Sequence, residues 1–499
     1  MPTQTQTFPV QFQGGLISNV PPLELGIQLP GAASKLKNFE PSIQGGYRRI
    51  NGFTKWDSAI VPTVSSSSQI LGVAFFDGDV IAVREGKIHT SSGSGWTQIA
   101  TGRTHTTKHR FHQFNFDGTR KIVGTDGVNY PYTWDGTNFV NINGTTDVLA
   151  TSHAAAFADA MFYAAGDLVS FTVPFDETDF TGGSGAGNFR VSGDVTGMIV
   201  FRNQLIIFTE EKIFVLTGTS SSDFQLDSVS TNIGCVEPDS IQEVNGDIAF
   251  LAADGMRMLG ATANNNDWSN QTISKNIQQE FNQFRTDFTD FSSTTVRDKS
   301  QYRIFGWHTS KLAPASVSYI AAQTLPDQKA FEWSQCDGIK VYSIDSKVYN
   351  GDEYIVFCSD TEYVYRLEDG SDYDGTDITS SLWTPYMSFN DPFFRKTLYK
   401  MYLYTTPEDS FTGTLNVKYD ISDKMRPQPT TIAMDASGGG AKYGTAVYGS
   451  SVYFTPSTSI IKAPLVGSGQ NASFQFEFNG SEPFTIDTLL IEYATEDRR

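Results

Sequence analysis

Apolar and polar residues alternate in short runs along most of the chain, and the runs are punctuated by Asp, Asn and Gly. A recurring unit reads as an aromatic or aliphatic residue, a polar turn, then an alternating strand, which is the pattern of a β-hairpin. It occurs at Phe76-Asp77-Gly78-Asp79-Val80, Phe116-Asp117-Gly118, Phe157-Ala158-Asp159-Ala160, Phe201-Arg202-Asn203-Gln204, Val244-Asn245-Gly246-Asp247, Lys299-Ser300-Gln301 and Asn350-Gly351-Asp352. With residues 78, 118, 159, 203, 246, 300 and 351 as anchors, the successive steps are 40, 41, 44, 43, 54 and 51 residues.

A repeat of this length built from short antiparallel strands is what a β-propeller blade requires, because one small sheet covers both its faces only by stacking on neighbours around an axis. The expected body is a propeller of six or seven blades over residues 61–368. A series of sandwiches is the competing all-β reading, since Asp-Gly turns serve both. Second strands, such as Ile213 to Leu216 and Tyr363 to Leu367, supply the next pairing within a blade. The long fifth step contains the one segment with clear helical spacing, Ile273, Ile277, Phe281 and Phe284, for which Ser274 is the candidate cap.

The rhythm ends in the acidic stretch Glu368 to Asp377. Beyond it, Met387–Phe389, Thr397–Tyr404, Gly413–Tyr419, Ser473–Phe478 and Thr485–Tyr493 alternate over longer runs and predict a separate antiparallel β-sandwich over residues 369–499. The Gly-rich segment 436–444 reads as a flexible contact loop. Residues 1–60 differ again: Pro21-Pro22, Pro30-Gly31 and Gly45-Gly46 interrupt regular structure, while Leu23, Leu25, Ile27, Leu29 and Phe39 offer anchors for an extended arm.

Charge narrows the function. The 499 residues carry 36 Lys+Arg against 55 Asp+Glu, a net of −19. Residues 1–60 hold +2, which leaves −21 on the remainder. That balance disfavours a nucleic-acid binder held by phosphate neutralisation. Cys235, Cys336 and Cys358 are too few and too widely spaced for a disulfide framework and read as buried small hydrophobes. The start, Met1 to Thr7, lacks a basic, apolar leader, and no run approaches the ~20 apolar residues of a membrane helix. The expectation is a protein without membrane insertion.

Candidate chemistry is sparse. Gly95-Trp96 and Trp134-Asp135-Gly136 are fragments of the Ser-x-Asp-x-Gly-x-x-Trp box of sialidase-like propellers, and no copy is complete. His105, His109 and His112 invite a metal, but without a further ligand they read as solvated strand or loop histidines. Asp372, Asp374 and Asp377 resemble part of a calcium loop that lacks its closing Glu, so they remain weak metal candidates. Neither a phosphate-binding loop nor a nucleophile elbow is present, and the four Asn-x-Ser/Thr triplets are chance matches in an Asn-, Ser- and Thr-rich chain. Catalytic residues and cofactors are expected to be none.

One region is more specific. Gly14-Gly15-Leu16, Pro30-Gly31-Ala32-Ala33, Lys37-Asn38-Phe39-Glu40-Pro41 and Gly45-Gly46-Tyr47-Arg48-Arg49-Ile50-Asn51-Gly52-Phe53 together resemble the amino-terminal signature of tail hub or nozzle proteins, also called packaged DNA stabilisation proteins, of short-tailed bacteriophages. The similarity extends more loosely through Ile273 to Phe284 and Trp383 to Lys396. It implies a non-enzymatic structural subunit located in the virion tail, and in the host cytoplasm during assembly. Six copies would form a ring below portal and adaptor proteins, carry tail fibres or spikes, retain packaged double-stranded DNA and conduct it outward. Within this reading Lys35, Lys37, Arg48 and Arg49 are candidate partner-binding residues, with Arg48 and Arg49 facing carboxylates of a neighbour. The competing reading of that segment is an intrachain strand opening the first blade, with both arginines in water. The rival function is a glycan-binding or glycan-hydrolysing propeller, which needs a central pocket of convergent carboxylates and aromatics.

Overall fold

A computed structural model describes residues 5–63, 69–104, 106–264, 272–308, 316–324, 330–408, 410–422, 427–436 and 458–496. The Gly-rich loop expected at 436–444 lies almost wholly outside them, as does His105.

The chain forms a β-propeller joined to a β-sandwich. Among the described residues, blades one to four open at Ile70, Arg110, His153 and Val195, each with four antiparallel strands in chain order. A three-stranded unit follows, Gln242–Val244, Asp247–Ala252 and Gly255–Met258, and Thr272 bridges Arg257 where a fourth strand would pair. Blades five and six open at Asp290 and Ser343. The ring closes where Ser343–Tyr349 packs on Ile70–Phe76. Phe53–Lys55 completes it as the outermost strand of blade six, paired with Val364–Leu367.

Every hairpin anchor read from the sequence joins the first two strands of one of these sheets. At Asp77-Gly78, Ala158-Asp159, Arg202-Asn203, Asn245-Gly246 and Asn350-Gly351 both turn residues have positive φ, the two-residue turn whose twist matches a hairpin. Ile70–Phe76 is buried at every position, as is Gln301–Trp307, because a blade is covered on both faces by its neighbours.

The helical spacing is realised in Gln278–Asp287, preceded by a 3-10 turn at Lys275–Ile277, and Ile277, Phe281 and Phe284 are buried. Ser274 does not cap it: its hydroxyl accepts from the Met256 amide at 3.2 Å and reaches Gln278 Oε1 at 3.2 Å. Pro22 begins a second short helix, Pro22–Gln28, rather than interrupting one, since the first helical turn needs no proline N–H.

The sandwich is continuous with the propeller, and the strands of residues 1–60 are laid along the sheets of both. Ile378–Trp383, Ala472–Gly480, Phe411–Tyr419 and Ile432–Ala436 form one sheet. The decisive link is Lys35–Lys37, which pairs antiparallel with Ile378–Trp383 and parallel with Glu332–Cys336, so blade five and this sheet are one nine-stranded surface. The second sheet contains Phe484–Thr495, Lys396–Pro407 and Ser459–Pro464, and Gln6–Gln11 and the hairpin Phe39–Pro41/Tyr47–Arg49 both add to it. The amino-terminal strands cover edges that the blade and the sandwich would otherwise expose. One continuous core, including Leu36, Phe39, Trp333, Leu403, Phe476 and Ile491, runs through the junction.

The glycines of the amino-terminal segment have a steric role there. Gly15 has φ +65, and a Cβ on it would lie 2.7 Å from the backbone N and O of Trp333. A Cβ on Gly31 would lie 1.8 Å from the Gln11 carbonyl oxygen. Gly31→Ala is therefore expected to part these strands and lower stability by roughly 3 kcal/mol, the range of severe backbone or overpacking lesions. Urea unfolding followed by tryptophan fluorescence measures it, and an unchanged midpoint would refute the close packing.

Candidate functional site

The four cations proposed for partner binding all have partners within the chain. Lys35 Nζ lies 4.3 Å from the centroid of the Trp383 ring, and Lys37 pairs with Asp337. Arg48 contacts Glu408 at 2.8 Å, Glu40 at 3.4 Å and Asn51 Oδ1 at 2.9 Å. Arg49 is buried and donates to the carbonyls of Glu482, at 2.8 Å, and Gly480. Burial lowers its pKa to about 10. Arg49 is enclosed, while Lys35, Lys37 and Arg48 are half-buried beside these intrachain partners. Their strands pair with the chain's own carboxy-terminal strands.

Around them lies a buried ion network. Glu40, 2% exposed, receives Arg303 at 2.9 Å and Lys299 at 2.6 Å. Glu368 takes the same two cations, at 2.6 and 2.5 Å, and accepts from the Asn51 amide at 3.0 Å. Burial opposes ionisation of Glu368, but Arg303 and Lys299 outweigh it and hold the carboxyl well below the ordinary glutamate range. Glu40, Arg48 and Asn51 come from the amino-terminal segment, Lys299 and Arg303 from blade five, and Glu368 from the exit of blade six. The network fixes the joint between propeller and sandwich.

A second polar cluster occupies the propeller axis, in a cavity of about 220 Å³. Arg110 grips Asp239 with two bonds, at 2.7 and 3.0 Å. Lys108 meets the same carboxylate at 2.9 Å and donates to Phe291 O at 3.0 Å and Ser292 Oγ at 2.8 Å. Blade two, the three-stranded unit and blade five are thereby bridged across the centre. The two cations hold Asp239 far below the usual carboxylate range despite burial. Nearby Glu237 goes the other way, raised to about 7 by burial and by Asp239.

His112 and His153 also line this cavity, and burial pulls their pKa values down to about 4 and about 3. His112 Nε2 accepts from the Ala156 amide at 3.0 Å, and His153 Nδ1 lies 2.9 Å from Ser152 Oγ. His109 is buried beside Asp126, at 4.0 Å, and Tyr132. The expectation of solvated histidines is corrected: His109 and His112 are neutral packing groups of an inner strand and of the residue that leads into it. The alternation of Lys108, Arg110 and His112 is the signal that could have turned one face of this segment toward the axis, but nothing in the sequence marks Asp239 as its counter-charge.

The candidate calcium carboxylates are dispersed. Asp372 accepts from the Gly375 amide at 2.8 Å, Asp374 pairs with Lys55 at 3.1 Å, and Asp377 accepts from Ser481 at 2.5 Å. Among the described residues no three His, Cys, Asp or Glu side chains gather around a common metal position. Cys235, Cys336 and Cys358 are buried, with thiols pushed up to about 12 by burial. Among the described residues no helix is long and apolar enough to cross a membrane.

No family model matches the chain, and no curated protein matches it. Among solved structures it is similar to PorZ, an essential bacterial surface component of the type-IX secretion system of Porphyromonas gingivalis, at 12% identity and a TM-score of 0.38, over 64% of this chain and 38% of that one. It is also similar to the Neurospora crassa Pan2 WD40 domain, at 8% identity and a TM-score of 0.39, over 64% and 96% of the two chains. Kluyveromyces lactis Hsv2 gives 11% identity and a TM-score of 0.35, over 64% and 93%. At these scores the likenesses carry no argument about function.

The joint network gives a test. Glu40→Ala leaves Arg303 buried with half its counter-charge, at a cost of about 3–5 kcal/mol, whereas replacing both partners with apolar residues of similar volume costs less. Because the folded-state pKa of Glu368 is depressed, its contribution is present above the ordinary value of 4.5 and is lost as pH falls below it. Chemical denaturation from about pH 6 down to about pH 3 should show stability falling with acid, and less steeply in Glu368→Gln. Equal slopes would refute the assignment.

Proposed function

We propose that this chain is a non-enzymatic structural subunit of a bacteriophage tail, a hub or nozzle whose copies form a ring that continues the portal channel, retains packaged DNA and conducts it during ejection. The observation that carries this reading is the use made of the signature segment. Gly15, Gly31, Glu40, Tyr47 and Arg49, which carry the resemblance to that family, converge on the joint that locks propeller to sandwich. The Gly15 amide donates to Tyr47 Oη at 3.0 Å, and that hydroxyl donates to the Gly31 carbonyl at 3.1 Å. A segment constrained in this way specifies an architecture, and a propeller-containing subunit is what the resemblance implies.

The DNA path in this proposal runs between subunits. Opposite blades meet through Lys108, Asp239 and Arg110 across the propeller axis, and the cavity there holds only about 220 Å³. Six copies of a −19 chain sum to −114, a field that repels a polyanion from the walls of a shared lumen and favours sliding over gripping. Portal-adaptor proteins and fibre or spike proteins are the partners this role requires.

The glycan reading has less support. Asp239 is neutralised by two cations, Phe111 is the aromatic residue lining the cavity, and the volume falls short of the ~300–1,000 Å³ of ordinary ligand pockets. The purified chain is expected to form closed rings with an axial opening wide enough for a duplex, seen by negative-stain imaging, and to leave polysaccharides uncleaved. A chain that stays monomeric with and without its portal-side partner, or that turns over a glycan, would overturn the proposal.

A further inference from the structure

The outward face of the second sandwich sheet has an unusual composition for a surface in water. Cross-strand register places Lys400 beside Pro464 and Glu492, Tyr402 between Lys462 and Leu490, and Tyr404 between Ile460 and Thr488. A register shift between Leu398 and Lys400 leaves Tyr399 40% exposed, and Ile460 is 44% exposed. Tyrosine is enriched in protein interfaces, and here Tyr399, Tyr402 and Tyr404 stand on neighbouring positions of one strand beside exposed Ile460. Lys462 Nζ sits 5.9 Å from the Tyr402 ring centroid, and Lys400 lies on the same face with Glu492 as its cross-strand neighbour, so the face carries two cations against one carboxylate on a chain that is otherwise strongly acidic.

The same chain carries a surface of opposite sign. The first strands of all blades run alike around the axis, so their first turns lie on one face of the propeller. On five consecutive blades those turns carry an exposed aspartate: Asp298, Asp352, Asp77, Asp117 and Asp159 on blades five, six, one, two and three. Of the neighbouring cations, Arg120 is paired with Asp77 and Arg297 with Glu353.

Two different, complementary surfaces on one chain favour head-to-tail contact, and head-to-tail contact closes into a ring when the rotation permits. We propose that the Tyr402/Lys400/Lys462 face of one copy docks on the aspartate-bearing turns of the next, and that this contact is the subunit interface of the ring. The inference rests on the ring reading above and adds which surfaces meet. Charge complementarity sets the orientation and speeds encounter, and the tyrosines supply the buried area.

Charge reversal tests it on the full chain, with mass photometry and analytical ultracentrifugation as readouts and thermal melting as the folding control. Lys400→Glu with Lys462→Glu should weaken ring formation at least tenfold, and so should Asp117→Lys with Asp352→Lys. A chain carrying all four substitutions should recover the ring, a result that misfolding cannot produce. Wild-type rings should loosen as salt rises, because the facing charges are screened. Rings indifferent to both reversals, or no recovery in the four-substitution chain, would overturn this interface and leave the ring itself standing. A wild-type chain that never assembles would remove the ring as well. Binding of a short DNA duplex by wild type that is lost in the lysine variant, measured by fluorescence anisotropy, would overturn it in favour of a polyanion as the occupant of this face.

Discussion

The architecture depends on one buried arrangement of charge, the carboxylates of Glu40 and Glu368 shared between Arg303 and Lys299. Three parts of the chain, far apart in sequence, meet there because none of these ions is stable alone away from water. Once Glu40 is held against blade five, its strand can pair with Tyr47–Arg49, and Arg49 is carried to the carbonyls of Gly480 and Glu482. Removing any one member leaves an opposite charge stranded in the interior.

The same segment solves the edge problem of both halves. Phe53–Lys55 closes the propeller, Lys35–Lys37 joins blade five to the sandwich, and Gln6–Gln11 lies along the carboxy-terminal strand. The propeller is completed by the meeting of Phe53–Lys55 with Val364–Leu367, and the second sandwich sheet by that of Gln6–Gln11 with Phe484–Thr495. These pairings, together with Lys35–Lys37, couple propeller and sandwich.

The axial cluster is a second, independent use of buried charge. Lys108, Arg110 and Asp239 take the place that an apolar plug or a ligand pocket could occupy, and they brace the blades against one another. The consequence for the proposed role is geometric: a polymer conducted by an assembly of these chains passes outside the individual propeller.

What the sequence determined by itself was local. Asp-Gly and Asn-Gly turns followed by alternating strands marked each inner hairpin, because turn chemistry and period-two patterning act over a few residues. The helical face of Ile277, Phe281 and Phe284 and the long sandwich strands were legible for the same reason. Only the tertiary structure decided that Lys35, Lys37, Arg48 and Arg49 have contacts within the chain, that His109 and His112 turn inward, that Asp239 opposes Arg110, and that the first sixty residues contribute to three sheets. Each of those outcomes turns on a partner far away in the chain, such as Glu368 for Lys299 or Gly480 for Arg49, and no local pattern encodes which distant group will arrive to pair a charge or cover an edge.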